Sequence, residues 1–280
     1  MKERPDSGEQ KDACVKISVV TVAWNAEATI ADTLSSVADQ RGVEYEHIIV
    51  DGGSTDATLS IVSNYQGKNV RVLSEPDRGI YDAMTKGLRL ATGDVVGFLN
   101  SDDFYCRTDA LKIVADAMRA APDCQAVAGA VAIVAKDSPD RIVRHYPAKG
   151  YQRWMARFGH MVPHPGLYVR KAAAEAVGGF ESGYRISGDF DWLVRFMYGH
   201  NFRISYLEDI LVGMREGGAS SGGLSTLKVL NAEISRSLRS NSVASVPAMV
   251  WSKYLLKSRQ LLSWSVDYPA PPSVRWPASQ

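Results

Sequence analysis

The sequence predicts an α/β fold, Rossmann-like, with a mostly parallel sheet flanked by helices, and three observations carry that prediction. Apolar, β-branched runs alternate with helix-patterned stretches through the first hundred or so residues. The links between them are short, as right-handed βαβ units require. The runs are apolar without alternation, which suits strands buried on both faces.

The elements follow in order. "VKISVVTVAW" (15–24) is the first strand, and Asn25 stands where a cap would open a helix through "AEATIADTLSSVADQ". "YEHIIVDGG" (45–53) is the second strand. Ser54 then reads as an N-cap, with Asp56 in the first turn, where negative charge suits the helix dipole. "VRVLSE" (70–75) is the third strand and "GIYDAMTKGLRLAT" (79–92) the third helix. Gly93 ends that helix, and "DVVGFLN" is the fourth strand. Further on, "TDALKIVADAMRAA" is helical and "QAVAGAVAIVA" a strand. "HMVPHPGLYVRKAAAEAVGGF" mixes loop, strand and short helix, "GDFDWLVRFMYGH" follows, and "FRISYLEDILVGM" is a strand. The small residues of "REGGASSGG" (215–223) read as a lid or linker. "LSTLKVLNAEISRSLRS" and "VPAMVWSKYLLKSRQLLSW" are helical, and "YPAPPSVRWPASQ" is an irregular tail. The organisation expected is a disordered lead (1–15), one α/β domain (16–215) and a helical C-terminal extension (216–280).

Composition narrows the function. Lys and Arg number 32 against 31 Asp and Glu, so no global field favours nucleic acid and anion binding must be local. Cys14, Cys106 and Cys124 form no CxxC pair and no disulfide framework, which fits a reducing compartment. "MKERPDSGEQKDAC" lacks the apolar core of a signal peptide. No apolar run approaches the roughly 18 residues of a spanning helix. A cytoplasmic protein, free to touch the inner face of the plasma membrane, is expected.

In open parallel sheets ligands bind beyond the carboxyl ends of the strands. Three polar clusters fall at such ends: Asn25 after the first strand, Asp51 after the second, and Asn100 to Asp103 after the fourth. In "FLNSDD", Asp102 and Asp103 can seat a hard cation such as Mn²⁺ or Mg²⁺, which bridges carboxylates to substrate phosphates. An Asp-rich exposed turn explains the pair in isolation; the buried strand before it and the companion clusters favour the cation. In "VDGGSTDAT", Asp51 can accept hydrogen bonds from a nucleobase or ribose while the glycines permit close approach. A tight turn and helix cap account for Gly53 and Ser54 but do not require Asp51. "EPDRGIYDAMTKG" places Arg78 before a helix start and Lys86 two turns on, both suited to phosphate and both explicable as surface charge.

"ISGDFDWLVR" sets Asp189 and Asp191 ahead of an apolar helical turn. Asp189 reads equally as an N-cap or as a general base facing the cleft. His160 and His164 flank "MVP", and the prolines beside His164 argue against a helical zinc pair. His164 and Asp191 are candidates for the acceptor side, with a structural histidine the favoured reading of His164. Residues 245–264 intersperse Trp251, Tyr254 and Trp264 with Lys253, Lys257 and Arg259. That pattern suits peripheral contact with an anionic membrane, or packing back on the domain.

"ISVVTVAWN", "VDGGSTDAT", "DRGIYDAMTKG", "FLNSDD" and "ISGDFDWLVR" occur together and in this order. The set resembles the inverting GT-A glycosyltransferases of the large family 2, in particular bacterial enzymes of exopolysaccharide and O-antigen synthesis. The resemblance covers about residues 16 to 215. It implies a metal-dependent transfer of a sugar from a UDP- or GDP-sugar to a hydroxyl of a glycan or lipid-linked acceptor. Asp51 would contact the nucleobase, with Thr21 and Asn25 beside it, and Arg78 would lie near the diphosphate. Asp102 and Asp103 would hold metal and ribose, and Asp189 would be the catalytic base. The chain departs from the family pattern at Asn100, Gly52 and Thr85, where two acids and an Asn are usual. A nucleotide-sugar pyrophosphorylase would want a Gly-rich basic loop after the first strand, which "TVAWNAEAT" lacks. A non-catalytic sugar-nucleotide-binding protein with a degenerate site is the other alternative, and retention of Asp102, Asp103 and Asp189 together argues against such decay.

Overall fold

Residues 14–65, 69–136, 138–217 and 223–261 are described by a computed structural model of the chain. Most of the expected disordered lead, residues 218–222 of the expected lid or linker, and the tail from 262 lie outside the described residues.

The first four strands are β1 (Lys16–Ala23), β2 (Glu44–Asp51), β3 (Val70–Ser74) and β4 (Val95–Phe98). They pair in parallel in the order β3-β2-β1-β4, as the alternation of strand and helix predicts. The crossovers are α1 (Ile30–Ala38), α2 (Thr58–Ser63) and α3 (Ile80–Leu90). Strands β5 (Asp103–Tyr105), β6 (Ala126–Ala135), β7 (Ser138–Tyr146), β8 (Leu167–Arg170) and β9 (Ile204–Arg215) extend the sheet to β3-β2-β1-β4-β8-β6-β9-β5, with β7 on β6. β8 is antiparallel to both β4 and β6, so the later strands make the sheet mixed. Helix α4 (Ala110–Ala120) covers one face; α5 (Lys171–Val177) and α6 (Gly188–Val194) belong to the other.

The unbroken apolar runs have the predicted cause. Val20 and Val22 enter one core with Ile48, Val50 and Phe98, while Ile17 and Val19 enter the opposite core with Leu111, Val114 and Met118. Alternate residues therefore serve two buried faces. Between β4 and β8 the sheet closes on an aromatic. A Cβ on Gly97 would lie 2.3 Å from the Tyr168 ring, and the Tyr168 hydroxyl donates to that of Tyr105 at 2.8 Å.

Two expected caps are not caps. Helix α1 begins at Ile30, and Asn25 sits at φ 48°, left-handed backbone that an asparagine tolerates and a helix N-cap does not use. Helix α2 begins at Thr58, whose N–H is received by Asp56, so Ser54 is free to turn toward Asp51. Helices α7 (Gly223–Ser240) and α8 (Pro247–Leu261) form the C-terminal part. The inner face of α8 packs through Val250 and Lys253 against Gly159, while Trp251 is 46% exposed. Among the described residues no helix is long and apolar enough to cross a membrane.

Candidate active site

The loops at the carboxyl ends of β1 and β2 are stitched into one surface. Asn25 N–H donates to Ser54 Oγ at 2.8 Å, and Thr55 N–H donates to Asn25 Oδ1 at 2.9 Å. Glu27 N–H reaches Asp56, and the Glu27 carboxylate accepts from Ala57 N–H in return. The left-handed turn at Asn25 makes this exchange possible. It also leaves Trp24 68% exposed at the rim, an indole the sequence reading passed over.

Asp51 is buried at the end of β2 and faces its own loop. Its carboxylate accepts from Gly53 N–H and Ser54 N–H at 3.1 Å, from Ser54 Oγ, and from Ser74 Oγ at 2.8 Å. Thr21 is not at the rim. It is fully buried within the sheet, its hydroxyl 2.9 Å from Nε2 of His47, whose ring burial holds near pKa 3 and neutral. Arg78 is exposed and paired loosely with Asp82 at 3.3 Å. Lys86 is anchored elsewhere: its ammonium donates to Glu75 and to the Pro76 carbonyl, both at 2.9 Å.

The turn between β4 and β5 carries Asn100, Ser101, Asp102 and Asp103, and its carbonyls are individually tied. Asn100 O accepts from Asp103 N–H at 3.1 Å. Thr33 Oγ of α1 donates to the carbonyls of Ser101 (3.0 Å) and Asp103 (2.7 Å). Arg215, at the end of β9, donates to Asp102 O at 2.8 Å while pairing with Asp32 of α1. On this rigid turn Asp103 is 1% exposed and Asp102 half-buried. Asn100 Nδ2 donates to Asp103 Oδ2 at 3.1 Å. Asp103 Oδ1 and Asn100 Oδ1 are both buried without a hydrogen-bond partner. Burial, then the adjacent Asp102 charge, pushes the Asp103 carboxyl well above the usual range; burial raises Asp102 as well. Among the described residues no three His, Cys, Asp or Glu side chains gather as a metal cage. Two carboxylates and an amide oxygen, two of these groups with an oxygen lacking a donor, fit a hard cation that takes its other ligands from substrate and water.

Asp189 lies in the first turn of α6. Its Oδ1 accepts from Phe190 N–H at 2.8 Å and has the Tyr81 hydroxyl at 3.5 Å; Oδ2 has no donor among the described residues. Burial raises its pKa, opposed by His164 and by those hydrogen bonds. His164 is buried against Phe98 and Phe180, ring centroids 5.5 and 5.9 Å away, and so stands between the end of β4 and Asp189. Burial lowers its pKa, with the Asp189 charge acting in the opposite direction. Asp191 points away into structure, bonded to Tyr184, Arg195 and Asn241. The structure thus gathers Asn25, the Asp51 loop, Arg78, the acidic turn, His164 and Asp189 at one end of the sheet. It withholds Thr21, Lys86 and Asp191.

Comparisons with known proteins bear on the family and the fold. The family model described as Glycosyl transferase family 2 matches residues 18–177. The PGL/p-HBAD biosynthesis glycosyltransferase of Mycobacterium tuberculosis is 27% identical over 212 residues, covering 75% of this chain and 80% of that one. Staphylococcus aureus TarS, residues 1–349, shares the fold with a TM-score of 0.62 at 22% identity, covering 88% of this chain and 73% of that one. TarS has also been solved with UDP-GlcNAc, where the TM-score is 0.60 at 23% identity over 80% of this chain and 66% of that one. The mannosyltransferase PcManGT of Pyrobaculum calidifontis, solved with GDP-Man and Mn²⁺, gives 0.55 at 17% identity over 89% of this chain and 81% of that one.

Proposed function

The chain belongs to glycosyl transferase family 2 and is a glycosyltransferase, and from that premise we propose an inverting transfer from a UDP- or GDP-sugar to a hydroxyl of a glycan or lipid-linked acceptor. The observation that carries this reading is the half-buried Asp189 carboxylate, whose hydrogen bonds among the described residues fall on Oδ1, on the same sheet end as the acidic turn. Asp189 Oδ2 takes the proton of the acceptor hydroxyl as its oxygen attacks the anomeric carbon. The bond from that carbon to the diphosphate breaks, and the diphosphate leaves with the electron pair. Attack opposite the leaving group inverts the anomeric centre, so a single base suffices.

The other residues bind and orient. Trp24 offers an aromatic face for the base, and Asp51 holds the loop beneath it in shape. Arg78 presents an exposed guanidinium to the diphosphate. Tyr81 donates to the Ile186 carbonyl at 2.6 Å, and burial keeps its hydroxyl protonated, so it remains a donor beside Asp189. Asp102, the more open acid, would be the principal ligand of Mn²⁺ or Mg²⁺, with Asp103 and Asn100 behind it. When bound, that cation supplies positive charge to the departing diphosphate.

Relatives named for PGL/p-HBAD biosynthesis and, in Bacillus subtilis, for teichuronic acid biosynthesis support a role in cell-surface glycan synthesis. A lipid-linked acceptor would place the enzyme on the cytoplasmic face of a membrane. Residues 141–174 and 234–266 contain no Asp or Glu. Within them Trp154 is 56% exposed, and Arg157 ties its turn to the loop before α8 through Ala244. Two acid-free segments carrying the exposed Trp154 and Trp251 suit an anionic lipid surface.

The test is Mn²⁺-dependent release of nucleoside diphosphate across UDP- and GDP-sugars. Asp189→Asn should bind donor as wild type and lose roughly 10²- to 10⁴-fold in turnover. Normal turnover in that variant would sink the base assignment.

A further inference from the structure

Helix α7 carries a buried carboxylate for which the transfer chemistry above has no use. Glu233 Oε1 accepts from Arg185 N–H at 2.7 Å, and Oε2 accepts from Ile186 N–H and Ser187 N–H, both at 2.9 Å. Glu233 is only 8% exposed, and among the described residues no basic side chain pairs with it. A carboxylate buried this way is costly unless hydrogen bonds offset the lost water, and here three successive backbone N–H groups do so. An apolar residue here would leave those three N–H groups without an acceptor, so the acid answers a demand of the backbone it grips.

That backbone leads into the base. Ser187 is followed by Gly188 and Asp189. Residue 186 is held from both sides, its N–H by Glu233 and its carbonyl by the Tyr81 hydroxyl at 2.6 Å. Ser187 Oγ donates to Leu230 O on the same helix α7, and Arg236 donates to Gly183 O at 2.8 Å. A Cβ on Gly188 would come within 2.8 Å of the Tyr81 ring, so the turn has no slack on that side. Leu230, Glu233 and Arg236 of α7 thus shape the segment 183–187, while the family model ends at residue 177.

We infer that Glu233 is a positioning residue for transfer: it fixes the 185–187 backbone so that the Asp189 carboxylate meets the acceptor hydroxyl. The inference rests on Asp189 as the base. It assigns α7 to the catalytic machinery, although helices beyond residue 215 fall outside the resemblance that defines the transferase core. A displacement of about 1 Å at a reacting group costs on the order of 100-fold in rate.

The test compares Glu233→Gln, Glu233→Asp, Asp189→Asn and the double variant Glu233→Gln/Asp189→Asn. Each is assayed on whichever UDP- or GDP-sugar the wild type turns over, with melting temperature and donor affinity measured alongside. Glu233→Gln keeps the shape but presents an NH₂ group to the N–H donors. It should lower kcat by roughly 10- to 100-fold while donor KM stays within about twofold. Glu233→Asp keeps the charge but is one methylene short, and should lower kcat without loss of donor binding even if the Gln variant does not fold. In the Asp189→Asn background, Glu233→Gln should change the residual rate by less than about twofold, since the two act as a unit. Wild-type kcat in a folded Gln or Asp variant overturns the inference, and so does a fully additive loss in the double variant. Failure of the base assignment reads differently: Asp189→Asn would then turn over normally whatever residue stands at 233.

Discussion

Replacing Asp103 by Asn should make the metal-free protein more stable and the metal-loaded protein relatively weaker. In the wild type Asp103 Oδ2 has one donor, Asn100 Nδ2, whereas its Oδ1 and Asn100 Oδ1 are buried without any. A second carboxylate, Asp102, is the next residue. An amide at 103 keeps an oxygen for Asn100 Nδ2 and directs an NH₂ at the unpartnered Asn100 oxygen, so two amides would pair reciprocally. Relieving an unsatisfied buried acceptor contributes about 1–3 kcal/mol. For a chain of this size each kcal/mol raises Tm by roughly 2–4 °C, so a rise of several degrees is expected without metal. Mn²⁺ with UDP at about 100 times its Kd should stabilise the wild type by around 2.7 kcal/mol. Most of that gain should be missing from the variant, which has lost a ligand charge. Thermal unfolding with chelator and with MnCl₂ plus UDP measures both quantities. A lower metal-free Tm for Asp103→Asn, or equal stabilisation of both proteins by Mn²⁺, would refute the reasoning.

Other predictions follow from single sites. Because burial holds the Asp189 carboxyl above its ordinary value, kcat should fall as pH drops through that raised pKa, with the acid limb above the usual carboxylate range and absent from the residual rate of Asp189→Asn. Glu46 is displaced the other way: burial pushes it up but is outweighed by hydrogen bonds from Ser18 (2.6 Å) and Thr92 (2.6 and 2.8 Å) and by Lys16. Its contribution to stability is therefore present above the unfolded carboxylate pKa and lost as pH falls through the lower folded one; Glu46→Gln should cost roughly 1–3 kcal/mol at pH 7 and flatten the acid side of a Tm-against-pH curve. Gly97→Ala drives a methyl into the Tyr168 ring, which is fully buried and bonded to Tyr105, and should cost about 1–3 kcal/mol in chemical denaturation. Replacing both Trp154 and Trp251 by Ser should abolish sedimentation with phosphatidylserine vesicles and leave nucleotide release from the donor alone intact; unchanged sedimentation would remove the membrane reading.

What could be foreseen from sequence divides by range. The parallel half of the sheet was readable because β1, β2 and β4 are local apolar runs largely buried on both faces, and β3, though mostly exposed, keeps a short β-branched run. Strand β7 was missed because "SPDRIVRHY" carries a proline and four charged or imidazole side chains along an exposed edge, where no apolar pattern is required. At the site, the acids on strand ends could be found, since a polar cluster after a buried run is itself a local signal. Trp24 offered the same signal, an aromatic between a buried strand and Asn25, and could have been taken. Thr33, Arg215 and Glu233 could not. Each is an ordinary residue in its own neighbourhood, and what it holds lies 70, 113 and 46 to 48 positions away. Lys86 and Thr21 failed in the opposite sense: their spacing was right, but Glu75 and His47 had already taken their polar groups.

The long-range tethers also explain why the acidic pair can remain poised. Two adjacent carboxylates on a mobile turn would relieve their repulsion by swinging apart into water. Here that route is closed, because the carbonyls of residues 100 to 103 are held by the turn itself, by Thr33 and by Arg215. Arg215 approaches the pair as a cation yet donates to the Asp102 backbone and to Asp32, leaving the Asp102 and Asp103 carboxylates without a salt bridge among the described residues. The remaining ways to relieve the charge are a proton on Asp103, in line with its raised pKa, or a cation from outside. The strain of holding two acids together is thus met during folding, by packing spread over β4, β9 and α1, and a cation that arrived with the proposed nucleotide diphosphate would have no backbone to reorganise.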